Sequence, residues 1–287
     1  MSDLQVLTPR TLEEAVALLA DDGAIAIGGG TSTAMMLKAG LLDVSTLVNL
    51  GRLALSGIAF ADNGTIAIGG TTTIREIAAS PLFAGSTSAL TTAARVVGNP
   101  RVRAVATVGG TIVHGDPRQD VPPALLALGG SVTLASTRGT REVPLSEFFV
   151  GFMESACRED EIVTRIVIGQ DHDHSAYVRF NPASEDDYAV VAVAASLALD
   201  ATGRINSARI ALGGAAATVI LAEEASELML GEKPSRDLWH AAANTAMRES
   251  DPTSDRRGSV EYKRQMVSVI TERALTKLAI DVDNGLA

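Results

Sequence analysis

The stretch NPRVRAVATVGGTIVHGDPRQDVPPALLAL, residues 99–128, is the most distinctive part of the chain. It contains the pair Gly109-Gly110 between two threonines, and it ends in an apolar run that Gly129 closes. Asp120 followed by a valine and two prolines is typical of a helix start, because Asp is a good N-cap and proline suits the first turn. The stretch therefore predicts a glycine loop followed by a short apolar helix that Asp120 caps.

Two other glycine strings lie upstream, and each follows a short run with β-strand character. Residues 25–27 lead into Gly-Gly-Gly-Thr-Ser-Thr at 28–33, and residues 66–68 lead into Gly-Gly-Thr at 69–71. We interpret all three strings as one local device, a strand that runs into a glycine loop. Their unequal spacing excludes a solenoid repeat. A helix over 34–39 is expected after the first loop.

The composition excludes several classes of protein. The chain has 287 residues, 46% of them hydrophobic, and a formal net charge of -10, which argues against nucleic acid as a partner. A single cysteine, Cys157, permits no disulfide within the chain, no iron–sulfur cluster and no cysteine-rich zinc site. No apolar run is long enough to cross a membrane, and the N-terminus lacks a signal core. We expect a soluble, cytoplasmic protein.

The polar segment 170–175 is the best candidate for a domain boundary. Beyond it the patterns predict strands over 188–199 and 207–212, followed by helices over 222–230, 237–248 and 259–279. Strands first and helices last indicate a small α+β domain at the C-terminus.

The glycine loops suit a bound phosphate, because glycine lets backbone N–H groups approach it closely. The loops at 28–33 and 107–111 could clasp one pyrophosphate from both sides, whereas we interpret Gly69-Gly70 as an ordinary turn. A Rossmann fingerprint is incomplete, since Thr33 replaces its third glycine and Asn49 lies where its acidic residue is expected. A tight strand-to-helix turn without ligand is the alternative for any one loop.

Four motifs resemble one known family. They are residues 28–32 with Met35, Met36 and Lys38; residues 99–128; the Asp-Asp-Tyr-Ala at 186–189; and the Arg-Gly-Ser-x-x-Tyr at 257–262. Together they resemble the FAD-binding medium subunits of the molybdenum hydroxylases, which include carbon monoxide dehydrogenase and the xanthine dehydrogenases. The resemblance extends from about Leu7 to Leu278.

This resemblance implies an α+β fold in two domains. The first, at 1–170, would be an FAD-binding domain with subdomains at about 1–54 and 55–170. The second, at 175–287, would be the flavoprotein C-terminal domain with a small antiparallel sheet and helices.

The resemblance also implies that FAD is bound in an extended form between the subdomains. Its site would consist of Ile27, Gly28, Gly29, Gly30, Thr31, Ser32 and Thr33 in the first loop and of Thr107, Val108, Gly109, Gly110 and Thr111 in the second. Asp120 would also contact the cofactor, and Val163, Arg179 and Tyr188 would lie near the flavin ring. Relatives often carry Asn or Asp where this chain has Thr111. Tyr188 could instead be a core residue that opens a strand.

By the same resemblance the chain is an electron-transfer part with no catalytic residue or metal of its own. A large partner would hold the molybdenum cofactor and a small partner the two-iron clusters, in a dimer of heterotrimers. The alternatives are a self-sufficient flavin oxidase or reductase, and a scaffold protein without a cofactor.

Two further groups of residues are candidates for a metal site or a reactive thiol. The Asp-His-Asp-His run at 171–174 could ligate a cation, but we interpret it as a solvated turn. Arg158 could lower the pKa of Cys157, but no His–Asp arrangement accompanies this thiol, and we interpret it as structural.

Overall fold

The N-terminal part of the chain forms a small parallel sheet in the computed structural model, which describes residues 4–61, 64–184 and 186–285. Its elements in chain order are β1 (Gln5–Leu7), α1 (Leu12–Leu18), β2 (Ala24–Ile27), α2 (Thr31–Lys38) and β3 (Thr46–Asn49). The strands lie in the order β1-β3-β2. The hydroxyl of Thr11 accepts a hydrogen bond from the Glu14 N–H and so caps the start of α1.

A larger antiparallel sheet follows, with a group of helices inserted between its strands. The elements are β4 (Ile58–Phe60), β5 (Ile66–Gly69), α3 (Ile74–Ala79), α4 (Ser88–Arg95), α5 (Pro100–Val105), α6 (Val108–His114), α7 (Val121–Leu128), β6 (Gly130–Ser136), β7 (Gly139–Pro144), β8 (Phe149–Gly151), β9 (Glu154–Ser155) and β10 (Ile162–Ile168). The sheet order is β4-β5-β10-β6-β7, and β8 pairs with β9 as a separate hairpin.

The C-terminal part consists of an antiparallel sheet and three helices. In chain order they are β11 (His174–Phe180), β12 (Val191–Leu199), β13 (Ile205–Gly213), β14 (Ile220–Leu221), α8 (Glu223–Glu227), α9 (Arg236–Glu249) and α10 (Val260–Gly285). The sheet order follows the chain order.

Strand β12 is buried on both faces and ties the two halves of the molecule together. Its residues alternate, as a strand requires. Ala192 and Ala194 face the core that contains α7, whereas Val191 and Val193 face the core under α9 and α10. All eight residues of α7 are buried, and the helix packs against α4 and α6 as well as against β12 and β13 of the C-terminal sheet. The α+β fold class is confirmed.

The structure corrects three expectations. No strand precedes Thr107: the string at 107–111 follows helix α5 and is itself the first turn of α6. Helix α2 begins at Thr31, within the first glycine string, and not at residue 34. Strand β12 begins at Val191, so Tyr188 lies in the preceding loop. In the described part of the chain no helix is both long and apolar enough to cross a membrane.

Candidate cofactor site

The N-terminus of α2 is open. Gly30 takes the left-handed conformation, with φ 69°, and no side chain caps the helix. The backbone N–H groups of Thr31, Ser32 and Thr33 donate to no atom of the described residues, and no residue of α2 is buried. Unpaired N–H groups and the positive end of the helix dipole favour a bound anion.

The first glycine string packs directly against the second. A Cβ atom on Gly28 would collide with the Thr107 hydroxyl, and one on Gly29 would collide with the Val105 carbonyl. Only glycine permits this approach, and the two strings lie side by side. Thr107 and Val105 thereby fix the place from which α2 projects.

Helix α6 has a different kind of N-terminus, because its first-turn N–H groups are all used within the protein. Val108 donates to the Thr72 carbonyl, Gly109 to the Gly70 carbonyl at 2.9 Å, and Gly110 to the Thr107 hydroxyl at 3.2 Å. The Thr111 N–H donates to the Thr107 carbonyl at 2.9 Å. Helix α6 can therefore form a wall of the site, but it has few free donors to offer.

The middle string is a turn, as predicted, but it also supports α6. A Cβ atom on Gly109 would lie 2.6 Å from the Gly70 carbonyl oxygen, and one on Gly70 would collide with the Val163 carbonyl. Val163 itself is 6% exposed, behind this pair of glycines. In contrast, Gly110 is exposed, and the one atom within 4 Å of its Cβ position is the Thr107 hydroxyl.

Asp120 forms a buried charged cluster with two residues of β11. Its carboxylate accepts a 2.5 Å hydrogen bond from the Tyr177 hydroxyl and lies 3.3 Å from the Arg179 guanidinium. Burial raises the pKa of Asp120 above its ordinary value, while the Tyr177 hydrogen bond and the charge of Arg179 oppose that rise. The expectation that the Asp120 side chain caps α7 is wrong, because the carboxylate points to β11 instead.

Tyr188 lies beside this cluster, and two charged contacts hold it there. The Arg118 guanidinium lies 5.7 Å from the centre of its ring, and the adjacent Asp187 forms a 2.7 Å ion pair with Arg257. Burial and the nearby charge of Asp116 raise the pKa of Tyr188. Its side chain is nevertheless 41% exposed, so it is not the core residue that the alternative interpretation required.

Two of these contributors, Tyr177 and Arg118, escaped the sequence analysis because they carry no local motif. Thr107 was predicted as a site residue, but its role as a helix cap was hidden by the interpretation of this string as a strand that runs into a glycine loop. The signal for Thr107 was present: a Thr three residues before a helical N–H is a good N-cap. The pairing of Tyr177 with Asp120, 57 residues away, depends on how β11 packs on α7.

The two other candidate groups, 171–174 and Cys157, make contacts within the protein. Asp171 and Asp173 are exposed, as expected for a solvated turn, but His172 is buried, and Asp171 pairs with Arg209. Burial and the charge of Glu161 raise the pKa of Cys157 to about 12, which favours the protonated thiol over the thiolate nucleophile. Among the residues that the structure describes, no three His, Cys, Asp or Glu side chains are grouped for a metal ion.

The whole arrangement suits an extended dinucleotide. The free N–H groups of 31–33, with three hydroxyls beside them, fit a diphosphate, and the exposed Gly110 borders the space next to them. Asp120, Arg179 and Tyr188 form a second polar group that suits the other end of such a molecule.

Comparisons with protein families identify both parts of the chain. Residues 2–170 match the FAD binding domain in molybdopterin dehydrogenase, and residues 176–278 match the CO dehydrogenase flavoprotein C-terminal domain.

Individual relatives agree with this assignment. The alpha subunit of the 6-hydroxypseudooxynicotine dehydrogenase complex of Paenarthrobacter nicotinovorans is 32% identical over 272 residues, which cover 93% of this chain and 91% of the relative. The carbon monoxide dehydrogenase medium chain of Hydrogenophaga pseudoflava is 28% identical over 93% of this chain and 94% of the relative.

Solved structures share the whole fold. Carbon monoxide dehydrogenase from Hydrogenophaga pseudoflava, in a form that lacks the Mo-pyranopterin moiety, gives a TM-score of 0.92 at 29% identity and covers 97% of this chain and 98% of its own. Quinoline 2-oxidoreductase from Pseudomonas putida 86 gives a TM-score of 0.89 at 28% identity, with 97% of both chains covered. The chain therefore belongs to the FAD-binding medium subunits of the molybdenum hydroxylases, a family of oxidoreductases, and its cofactor is FAD.

Proposed function

We propose that this chain carries electrons, through bound FAD, from the iron–sulfur clusters of a partner subunit to an external acceptor. The observation that carries the proposal is the open N-terminus of α2 held against α6, a donor set suited to the diphosphate of FAD. When bound, FAD supplies a store for two electrons that can be filled one at a time. The protein's own task is to bind, orient and shield it.

Each group of the site receives a role in this proposal. The backbone N–H groups of Thr31, Ser32 and Thr33 hold the diphosphate, and residues 107–111 form the wall beside it. Asp120 and Arg179 bind the polar part of the cofactor nearer the flavin ring. Tyr188 and Val163 are expected next to the ring itself.

The partners follow from what the chain lacks. One cysteine cannot hold a two-iron cluster, so the clusters belong to a small partner subunit and the molybdenum cofactor to a large one. Relatives are named as subunits or medium chains of such enzymes. We expect a dimer of heterotrimers, and a cytoplasmic location remains our prediction. Affinity purification from the native cell should recover a larger protein with molybdenum and a smaller one with iron.

The substrate of the complete enzyme is determined in another subunit. The relatives' names point to different compounds, among them carbon monoxide, nicotine and glyceraldehyde, and none of these transfers to this chain. The acceptor could be NAD, a quinone, a protein carrier or oxygen.

An anaerobic titration tests the proposal. The FAD-loaded chain alone should be reduced by dithionite, but not by purines, aldehydes, N-heterocycles or carbon monoxide. Addition of the molybdenum and iron–sulfur partners should confer reduction by one of these, followed through the visible absorbance of the flavin. Denaturation should release FAD, not FMN, into the supernatant.

Two outcomes would favour the alternatives. Bleaching by an organic substrate in the isolated, metal-free chain would indicate a self-sufficient flavin oxidase or reductase. Failure to bind FAD, even after reconstitution with excess cofactor, would indicate a scaffold protein.

A further inference from the structure

The first turns of helix α10 contain a buried lysine, Lys263, whose residue is only 4% exposed. Lysine is almost never buried to this extent unless other groups accept its charge. Here the ammonium group donates to the Thr253 carbonyl at 2.7 Å and lies 2.9 Å from a carboxylate oxygen of Asp255. Both acceptors belong to the connecting segment, residues 250–259, which joins α9 to α10. Lys263 therefore fastens this segment to α10.

Asp255 connects Lys263 to two arginines. The carboxylate oxygen that faces Lys263 also accepts a 2.8 Å hydrogen bond from the backbone N–H of Arg257. Backbone hydrogen bonds of 3.1 Å in both directions between Asp255 and Gly258 close the same turn. The other carboxylate oxygen lies 3.9 Å from the guanidinium of Arg118, which belongs to the FAD-binding domain. Asp255 thus fixes the turn that carries Arg257 and also contacts Arg118.

Both arginines contact the loop that contains Tyr188. The Arg257 guanidinium pairs with the Asp187 carboxylate at 2.7 Å, and the same carboxylate accepts the Tyr188 N–H at 2.8 Å. The Arg118 guanidinium lies 5.7 Å from the centre of the Tyr188 ring, within the range of cation–π attraction. One arginine therefore holds the backbone of Tyr188, and the other holds its ring.

We propose that Lys263 is a positioning residue for Tyr188, and that it fixes the place of this ring through Asp255 and the two arginines. The consequence for the cofactor rests on the proposed function, in which Tyr188 lies next to the flavin ring. A side chain that is already held in its bound position loses less conformational entropy when its ligand binds. The Tyr188 ring is 41% exposed, so part of it remains available to the cofactor despite the contact with Arg118.

NMR of the FAD-free chain, prepared with isotope-labelled tyrosine, tests the positioning itself. The chain has three tyrosines, and Tyr188→Phe identifies the ring signal of Tyr188. Lys263→Met removes the charge and keeps an unbranched side chain. It leaves no buried carboxylate unpaired, because the Asp255 side chain is 32% exposed. We expect the Tyr188 signal to shift in Lys263→Met and the signal of the distant, fully buried Tyr177 to stay in place.

Arg264→Gln is the matched control. Arg264 is the next residue on α10 and also pairs with the connecting segment, but at Asp251, 3.6 Å away. This variant should leave the Tyr188 signal unchanged, and a shift equal to that of Lys263→Met would overturn the proposal.

A second variant tests whether Lys263 acts through Asp255. Asp255→Asn keeps the shape of the side chain and should shift the Tyr188 signal as Lys263→Met does. The double variant should shift it no further, because both changes break one connection. An unmoved Tyr188 signal in Lys263→Met would overturn the proposal, and so would a shift in the double variant equal to the sum of the two single shifts.

The FAD-loaded chain separates this proposal from the function on which it rests. A phenol in contact with an excited flavin quenches the fluorescence of the flavin by electron transfer. Lys263→Met should therefore raise the fluorescence of bound FAD, and Tyr188→Phe should raise it further. The affinity for FAD should fall by only about threefold in Lys263→Met, because one partly exposed cation–π contact is weakened. A shifted Tyr188 signal with unchanged FAD fluorescence in both variants would contradict the place that the proposed function gives to Tyr188, and not its positioning by Lys263.

Discussion

Helices α2 and α6 both start at a glycine string, and they are nearly equal in length, but their N-termini are built in opposite ways. Helix α2 buries no residue and leaves the N–H groups of 31–33 free. Helix α6 buries Val108, Gly109 and Ile112, and it uses every first-turn N–H within the protein. In our proposal the glycine string before α2 forms a ligand-binding helix end, whereas the string at the start of α6 packs into the protein.

The difference has a physical cause in what precedes each helix. Gly30 offers no side chain to cap α2, and such an end is less stable by about 0.3 kcal/mol than one with an Asp cap. A bound anion would offset that cost. Thr107 supplies a hydroxyl to α6, and the carbonyls of Thr72 and Gly70 complete its first turn.

The largest effect on stability should come from Gly70→Ala, because the Gly70 carbonyl accepts the Gly109 N–H in the first turn of α6. Its Cβ atom would collide with the Val163 carbonyl, and neither backbone can move without disturbing β10 or α6. We expect a loss of at least about 3 kcal/mol in the free energy of unfolding, which is a fall of about 10 °C in Tm. Thermal unfolding followed by circular dichroism measures it.

Gly203→Ala is the control for Gly70→Ala. Gly203 has φ +75° and no atom within 4 Å of its Cβ position, so alanine there should cost only about 1–2 kcal/mol of backbone strain. An equal loss of unfolding free energy in the two variants would show that Gly70 belongs to an ordinary turn, as the sequence analysis proposed, and does not support α6.

The next largest effect should follow from a negative charge introduced at the open N-terminus of α2, and here the affected quantity is the affinity for FAD. Ser32→Asp places a carboxylate where the diphosphate of FAD is proposed to lie, so FAD affinity should fall by about a hundredfold, equivalent to about 2.7 kcal/mol. The stability of the FAD-free chain should rise by up to about 1 kcal/mol, because a negative charge favours a helix N-terminus. Flavin fluorescence titration and thermal unfolding measure the two quantities.

Two further variants test whether the N-termini of α2 and α6 differ in this way. Ser32→Ala keeps all three N–H groups and should lower FAD affinity by no more than about threefold, since it removes at most one hydroxyl contact. Thr111→Asp, in the first turn of α6, should lower the affinity for FAD less than Ser32→Asp does. An equal or larger effect at Thr111 would place the diphosphate on α6.

The elements that sequence predicted best are those with local signals. The Thr-x-x-Glu patterns at Thr11–Glu14 and Thr73–Glu76 are typical of a helix start, and the bond from each N3 amide to its threonine is present at the start of α1 and of α3. The stretch 99–114 misled because valines and alanines suit both strands and helices. Only the cap signals at Asn99 and Thr107 favour helices there.

The site was predictable to the extent that it is local. Glycine strings mark places where backbone approaches closely, but they do not tell whether a cofactor or another part of the protein approaches. Gly29 contacts Val105 and Gly70 contacts Val163, and these pairs lie 76 and 93 residues apart in the chain. The burial of Asp120 by Tyr177 likewise depends on tertiary packing.

A smaller effect on binding is expected at Gly110, the exposed glycine of α6. Gly110→Val should weaken FAD binding by about tenfold, because a branched side chain would enter the space proposed for the cofactor. The unfolding free energy should fall by only about 1 kcal/mol, the difference in helix propensity being small.

Gly51→Val is a closely matched control for Gly110→Val. In both cases the glycine is exposed, and its Cβ position lies 3.1 Å from the side-chain oxygen that accepts its own N–H, Asn49 Oδ1 or Thr107 Oγ1. Gly51→Val should lose similar stability and keep FAD. Full FAD affinity in Gly110→Val would remove α6 from the wall of the site.

The smallest effect should follow from Thr107→Val, which removes the hydroxyl that caps α6 and keeps the shape of the side chain. The loss of one N-cap bond should cost about 1 kcal/mol. FAD affinity should stay within about threefold, because in our interpretation this hydroxyl serves α6 and not the cofactor. Thr11→Val is the matched control, since the Thr11 hydroxyl also accepts a single 3.2 Å bond, from Glu14, at the start of α1. A different outcome would be a tenfold or greater fall in the FAD affinity of Thr107→Val with a loss of stability equal to that of Thr11→Val. The Thr107 hydroxyl would then bind the cofactor directly, and the N-terminus of α6 would be a ligand-binding end, as we propose for α2.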